Sequence, residues 1–302
     1  MRDCLHSYMK VGIVHFMAFP DVSSGAELVN SIKRVTEDEF FGGIEITSVP
    51  NDARADIAKL LEASKLVVGY GAQPILLGEK LDLNSSSLQQ RELAISRVKS
   101  AVDEAYFLGA RRLAVLSGPT PTVEKREKAK EFLIDSLVQI YGYAKSKGSL
   151  GITLEVFDRE IDKRCLIGPT EDGVQVATEV RKHYPSFGLM VDLSHLPLLG
   201  ESAEHALKIA SDYLVHVHIG NCVIKDKSHP AYGDKHPRFG IAGGENDVAE
   251  LRLFLKSLLD IGYIGEGKQN VVAFEVKPQS GESSQVIIAN AKRTLMEAWT
   301  RL

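Results

Sequence analysis

Residues 187–195 read FGLMVDLSH and residues 214–221 read LVHVHIGN, two apolar runs that each carry an ionisable side chain near the end, Asp192 and His218. The pattern recurs on either side, in GITLEVF (151–157) with Glu155 and in NVVAFEVKP (270–278) with Glu275. Runs this rich in Val, Ile, Leu and Phe read as strands buried on both faces of a parallel sheet. A carboxylate in such a run costs several kcal/mol unless a cation or a charge partner meets it. Four consecutive strands repeating the arrangement point to four side chains converging on one ion. The plainer reading is structural ion pairing, the default for any one of these acids alone.

Outward from this half, strands and helices alternate along the whole chain. Further strands are expected at 11–17, 43–48, 66–71 and 112–118. Amphipathic helical spacing covers 26–38, 53–64, 87–108, 123–147, 171–183, 203–211, 247–261 and 283–299. Ser85–Ser87 and Thr122 offer N-cap oxygens, and Gly109, Gly148 and Gly262 fall where helices should stop. Eight β-α units without a Gly/Ser/Pro linker predict one α/β domain over 1–302, a single closed (β/α)₈ TIM barrel. A doubly wound sheet is the alternative, but it would more naturally carry G-x-G-x-x-G after its first strand, and VGIVHFMAFPDVSSG (11–25) has none. A short polar extension is expected at 1–9. Residues 222–246 lack periodicity, and their aromatic and charged content suggests a lid over the mouth.

Composition narrows the function classes. The net charge of −4 offers no basic field for a phosphate backbone, so no nucleic-acid partner is expected. Cys4, Cys165 and Cys222 form no C-x-x-C pair and read as free thiols of a reducing compartment. The start, MRDCLHSYMK, has no apolar core of a signal peptide, and no stretch nears the roughly 18–20 apolar residues of a membrane span. A cytoplasmic protein without a membrane partner is expected.

Three carboxylates and one imidazole form a hard, mostly oxygen donor set. That suits one divalent ion, Mn²⁺ foremost, with Co²⁺, Mg²⁺ or Zn²⁺ as alternatives, over a structural zinc site. A six-coordinate ion held by Glu155, Asp192, His218 and Glu275 keeps two positions for vicinal oxygens of a small carbohydrate. Around it, His15, Glu45 and Gln73 lie near the ends of the first three strands, either contacting sugar hydroxyls or serving as structural hydrogen bonders. Lys277, two residues after Glu275, should point inward, whereas His216 reads as a core histidine one layer deeper. Asp234, His236 and Arg238 on the long loop are expected to reach the substrate, with Arg159 and Arg238 as candidates for a substrate phosphate.

The Asp192-x-x-His195 spacing, the His216-Val-His218 run and the flanking glutamates resemble the xylose-isomerase-like TIM-barrel superfamily. Its members include sugar isomerases, ketose 3-epimerases and endonuclease IV. The resemblance covers essentially the whole barrel. It implies that Glu155, Asp192, His218 and Glu275 are metal ligands, that His195 hydrogen-bonds a substrate oxygen, and that Glu155 and Glu275 double as an acid/base pair. EVFDRE (155–160) resembles the epimerases' fifth-strand motif, which would give Glu160 a supporting role. The implied chemistry is proton transfer beside a carbonyl, ending in epimerisation or isomerisation.

Two other activities share this ligand set. Some similar barrels pair with a small subunit and eliminate the aglycone from 3-oxo-C-glucosides, which keeps a carbon–carbon lyase with a small partner, or a homo-oligomer, among the alternatives. GDKHPRFG (233–240) resembles the part of endonuclease IV that supplies a further metal, so His195, Asp234 and His236 are candidates for a second ion. The DNA enzyme's histidines on strands three and four have no counterpart here, where Gln73 and Ser117 stand. A non-catalytic carbohydrate-binding protein is the remaining class, and it would not need Glu155 or Glu275.

Overall fold

The computed structural model describes residues 4–302. Eight parallel strands form a single (β/α)₈ TIM barrel: β1 Lys10–Ile13, β2 Gly43–Ile46, β3 Val67–Gly71, β4 Arg112–Val115, β5 Gly151–Glu155, β6 Gly188–Asp192, β7 Leu214–Gly220 and β8 Val271–Glu275. The helices that follow them are α1 Gly25–Thr36, α2 Asn51–Ser64, α3 Leu88–Phe107, α4 Arg126–Lys147, α5 Thr170–Arg181, α6 Ala203–Ala210, α7 Val248–Asp260 and α8 Ser284–Thr300. From β2 to β8 each strand pairs with its chain neighbour, and β1 pairs with β8. The seam between β1 and β2 closes through an isolated bridge at Val14 and Glu45 and a 2.8 Å hydrogen bond from Gly42 N–H to the Val11 carbonyl.

Strand periodicity decides what enters the barrel. Successive side chains alternate faces, so Thr153 and Glu155, Met190 and Asp192, His216 and His218, and Ala273 and Glu275 form inward columns. Their neighbours Leu154, Val191, Val217 and Phe274 are all buried as well, on the face that meets the surrounding helices. Both faces are therefore largely buried, as the near-continuous apolar reading predicts. Ser87 caps α3 by accepting from Gln90 N–H. Thr122, by contrast, precedes a 3₁₀ turn at Val123–Lys125 and makes no side-chain cap.

The first strand is shorter than the apolar run 11–17. It stops at Ile13, and His15–Ala18 forms a turn of helix whose Met17 and Ala18 amides donate to the Val14 carbonyl. A short buried run has no period that separates strand from helix. The expected extension 1–9 lies partly outside the described residues. Its described part packs down, with Leu5 and Met9 buried and the Ser7 and Tyr8 carbonyls accepting from Gly267 and Gly265 N–H. Residues 222–246 contain neither helix nor strand. Among the described residues, no helix is long and apolar enough to cross a membrane.

Candidate metal centre

Glu155, Asp192, His218 and Glu275 each turn one donor atom toward the others, all within 4.8 Å. Sheet register explains the convergence: Asp192 lies directly across from His218, and Glu275 lies across from Gly220, whose missing side chain leaves room. A Cβ on Gly220 would stand 2.5 Å from the Glu275 carbonyl oxygen and 3.2 Å from His236 Nδ1. His218 Nδ1 lies 2.5 Å from Glu275 Oε2, 3.8 Å from Glu155 Oε1 and 4.0 Å from Asp192 Oδ2.

The donor set fits a divalent cation. Glu155 Oε1 and Asp192 Oδ2 are buried without any hydrogen-bond partner, an arrangement that needs an explanation in a folded protein. Their other oxygens are taken: Gln73 Nε2 donates to Glu155 Oε2 at 2.7 Å, and Ser194 N–H donates to Asp192 Oδ1 at 2.7 Å. Each carboxylate is thus held in one rotamer with one oxygen reserved for the cluster. Burial pushes the Glu155 carboxyl up to about 8, reinforced by the Glu275 and Asp192 charges and opposed by His195 and His218. Burial also raises Asp192. Glu275 is held down to about 2, where His236 and His218 outweigh the opposing effect of burial.

A second group abuts the first. His195 opens a short helix after β6, and its Nδ1–H donates to the Val156 carbonyl at 2.8 Å, which leaves Nε2 facing the cluster without a partner. Asp234 Oδ1 lies 3.2 Å from that nitrogen, misaligned for a hydrogen bond, and 2.7 Å from His236 Nε2. Asp192, His195 and His236 also bring ligand atoms within 4.8 Å of one another. His236 adopts φ +49°, a left-handed conformation unusual outside glycine and found preferentially at functional sites. Lys163 ties the long loop down, its Nζ 3.0 Å from Asp234 Oδ2, while Asp162 accepts from Asp234 N–H. Asp158 in turn shapes the 161–163 segment by accepting from the amides of Ile161, Asp162 and Lys163. Sequence reading missed Lys163, Asp162 and Asp158, since nothing local in the chain marks which charges a distant loop will meet.

The mouth opens into a cavity of about 290 Å³ lined by Glu155, His218 and Glu275 of the cluster. Its lining includes the apolar Phe16, Met17, Pro74 and Leu77 and the basic Lys163, Lys235 and Lys277. His15, Arg238, Arg159 and Glu160, singled out in the sequence, do not line this cavity. His15 belongs to the helical turn rather than to the strand, and its Nε2 bonds Ser31 Oγ at 2.8 Å, away from the cavity. Arg238 Nε bonds Glu282 at 3.2 Å and does not line the cavity. Arg159 is engaged by Asp172 and the Leu166 carbonyl, and Glu160 is exposed. Glu45 does line the cavity, but its oxygens are occupied by two histidines, as described below.

A family model described as xylose isomerase-like TIM barrel matches residues 37–292. The chain belongs to that family. Its fold is similar to that of L-ribulose 3-epimerase, with a TM-score of 0.73, 17% identity and coverage of 97% of this chain and 96% of that one. It is also similar to an IOLI protein with a bound zinc atom, at TM-score 0.71 and 17% identity over 97% of this chain and 99% of that one. A 3-keto-D-glucoside 4-epimerase from E. coli superimposes at TM-score 0.68 and 15% identity, covering 95% of this chain and 99% of that one. No curated protein sequence matches. At these identities the likeness carries the fold.

Proposed function

We propose that this family member is a divalent-metal-dependent sugar isomerase or epimerase that transfers a proton beside a carbonyl. The observation that carries the reading is the pair of buried, partnerless oxygens, Glu155 Oε1 and Asp192 Oδ2, facing His218 Nδ1 and Glu275 across less than 4.8 Å. Glu155, Asp192, His218 and Glu275 would hold the ion, which when bound supplies charge stabilisation to a sugar carbonyl. Mn²⁺ suits the oxygen-rich set, and the zinc of the IOLI neighbour keeps Zn²⁺ as an alternative.

The chain's own residues then do the proton work. Glu155, fixed by Gln73, stands on β5 and Glu275 on β8, three strands on, so that the two would flank the substrate position. One removes the carbon-bound proton and the other returns one. His195, its ring set by the Val156 carbonyl, aims Nε2 at a substrate oxygen, with His236 and Asp234 beside it. Lys277, which lines the cavity without an ion-pair partner among the described residues, would face sugar oxygens. The likeness to L-ribulose 3-epimerase and to a 3-keto-D-glucoside 4-epimerase supports a small carbohydrate substrate and a place in carbohydrate metabolism.

The test loads the chelator-treated protein with Mn²⁺, Co²⁺ or Zn²⁺ and screens ketoses and 3-oxo-glycosides in deuterium oxide. Solvent deuterium should enter the product at the reacting carbon. Turnover without incorporation refutes proton transfer and leaves a hydride shift. The apolar lining residues Phe16, Met17, Pro74 and Leu77 favour a second reading, elimination of an apolar aglycone from a 3-oxo-C-glucoside with a small partner subunit. Release of aglycone in the same screen would select it.

A further inference from the structure

Glu45 separates two spaces inside the barrel. Above it lies the mouth cavity. Below it, a second cavity of about 240 Å³ runs toward the opposite end of the barrel, lined by Gly69, Ala114, Thr153, Met190 and His216. The side chain leans across Gly69, where a Cβ would meet Glu45 Cγ at 2.8 Å, so glycine is what lets the carboxylate cross the barrel axis. It reaches β7 from β2: Glu45 Oε1 lies 2.7 Å from His216 Nε2 and 2.9 Å from His218 Nε2, with Oε2 3.1 Å from the latter. The two rings stand nearly perpendicular, 84° apart, and both Nε2 atoms meet Glu45 Oε1.

An imidazole has two nitrogens, and a metal takes the one without a hydrogen. An acceptor fixed on Nε2 keeps the hydrogen there and leaves Nδ1 as the ligand, the atom that faces Glu155, Asp192 and Glu275. We infer that Glu45 is not a sugar-binding group but a positioning residue, which fixes the tautomer and ring plane of His218 so that Nδ1 is presented to the metal, while His216 holds Glu45 in place from below. This inference rests on the metal reading above.

The test compares Glu45→Gln with Glu45→Met. The Gln carbonyl oxygen can still accept from both rings, whereas Met accepts from neither and is similar in length. Dissociation constants for Co²⁺ and Zn²⁺ are measured by competition with a chelating indicator, on variants whose thermal melts show folding. Met should weaken binding about 10–100-fold, the usual effect of removing a ligand's hydrogen-bond partner, and Gln should stay within about threefold of the parent. In the zinc-loaded parent and in Glu45→Gln, ¹⁵N-edited imidazole spectra should show a slowly exchanging His218 Nε2–H that is lost in Glu45→Met. A parent protein that binds neither ion refutes the metal reading itself. A parent that binds while Met equals it, or while Gln and Met fall equally, refutes the role of Glu45 and leaves the metal reading intact.

Discussion

Replacing His15 by Leu should make the protein less sensitive to acid while leaving the mouth cavity as it is. Ser31 Oγ donates its hydrogen to the Leu28 carbonyl at 2.9 Å and must therefore accept from His15 Nε2–H. The ring is neutral, stacked on Phe19, and burial lowers its pKa to about 4. A histidine with a lowered folded pKa is bound by fewer protons in the folded than in the unfolded chain, so its effect on stability is unfavourable below about 6.5 and grows until about 4. With 1.36 kcal/mol per unit, the full effect is about 3 kcal/mol, and the part between pH 7 and pH 5 is about 2 kcal/mol. Urea unfolding of both proteins at the two pH values isolates this difference, because the lost hydrogen bond to Ser31 enters equally at each. The gap in stability between pH 7 and pH 5 should shrink by about 2 kcal/mol in His15→Leu. An unchanged gap would mean that His15 is not held neutral in the interior, and a collapse of substrate affinity would return it to the site.

Glu155→Gln and Glu275→Gln keep a ligand oxygen but lose the base, so each should lower turnover about 10²–10⁴-fold on an identified substrate, measured at saturating metal. Lys163→Met leaves Asp234 without its cation and should destabilise by about 2 kcal/mol and raise KM, read from urea midpoints and initial rates. Arg238→Ala should change kcat/KM less than about threefold, since its partner is Glu282 at the rim. Maleimide at pH 8 should label only Cys4 in the folded protein: Cys165 is buried with its thiol pushed up to about 12, and burial raises Cys222 as well.

The barrel and its inward acids were legible because alternation on a buried strand leaves a lone carboxylate nothing local to satisfy it. Glu155, Asp192, His218 and Glu275 all sit at such positions, and their strands follow one another in the chain. His15 was misplaced for the converse reason. Nothing in VGIVHFM distinguishes four residues of strand followed by a helical turn from seven residues of strand, and that difference rotates the ring out of the mouth. The task of Glu45 depends on a partner 173 positions away and on the bare Gly69 beneath it. Lys163 and Asp158 were hidden similarly, since they act on a loop whose course is set by tertiary packing.

The four proposed ligands come from β5 to β8, one unbroken half of the chain, while the apolar residues of the mouth, Phe16, Met17, Pro74 and Leu77, come from segments after β1 and β3. On the proposed function, ion capture is written in the second half of the gene, and the first half contributes the apolar part of the substrate's surroundings. Mutation that alters this apolar part alone would retune which molecule is accepted without touching the four proposed ligands. Gln73, which donates to Glu155, and Glu45, which the His218 ring meets, are the threads stitched across that divide, so they set the limit on swapping first halves between related barrels. A graft that brings in β2 without an acceptor in place of Glu45 would inherit a new specificity and a loosened metal.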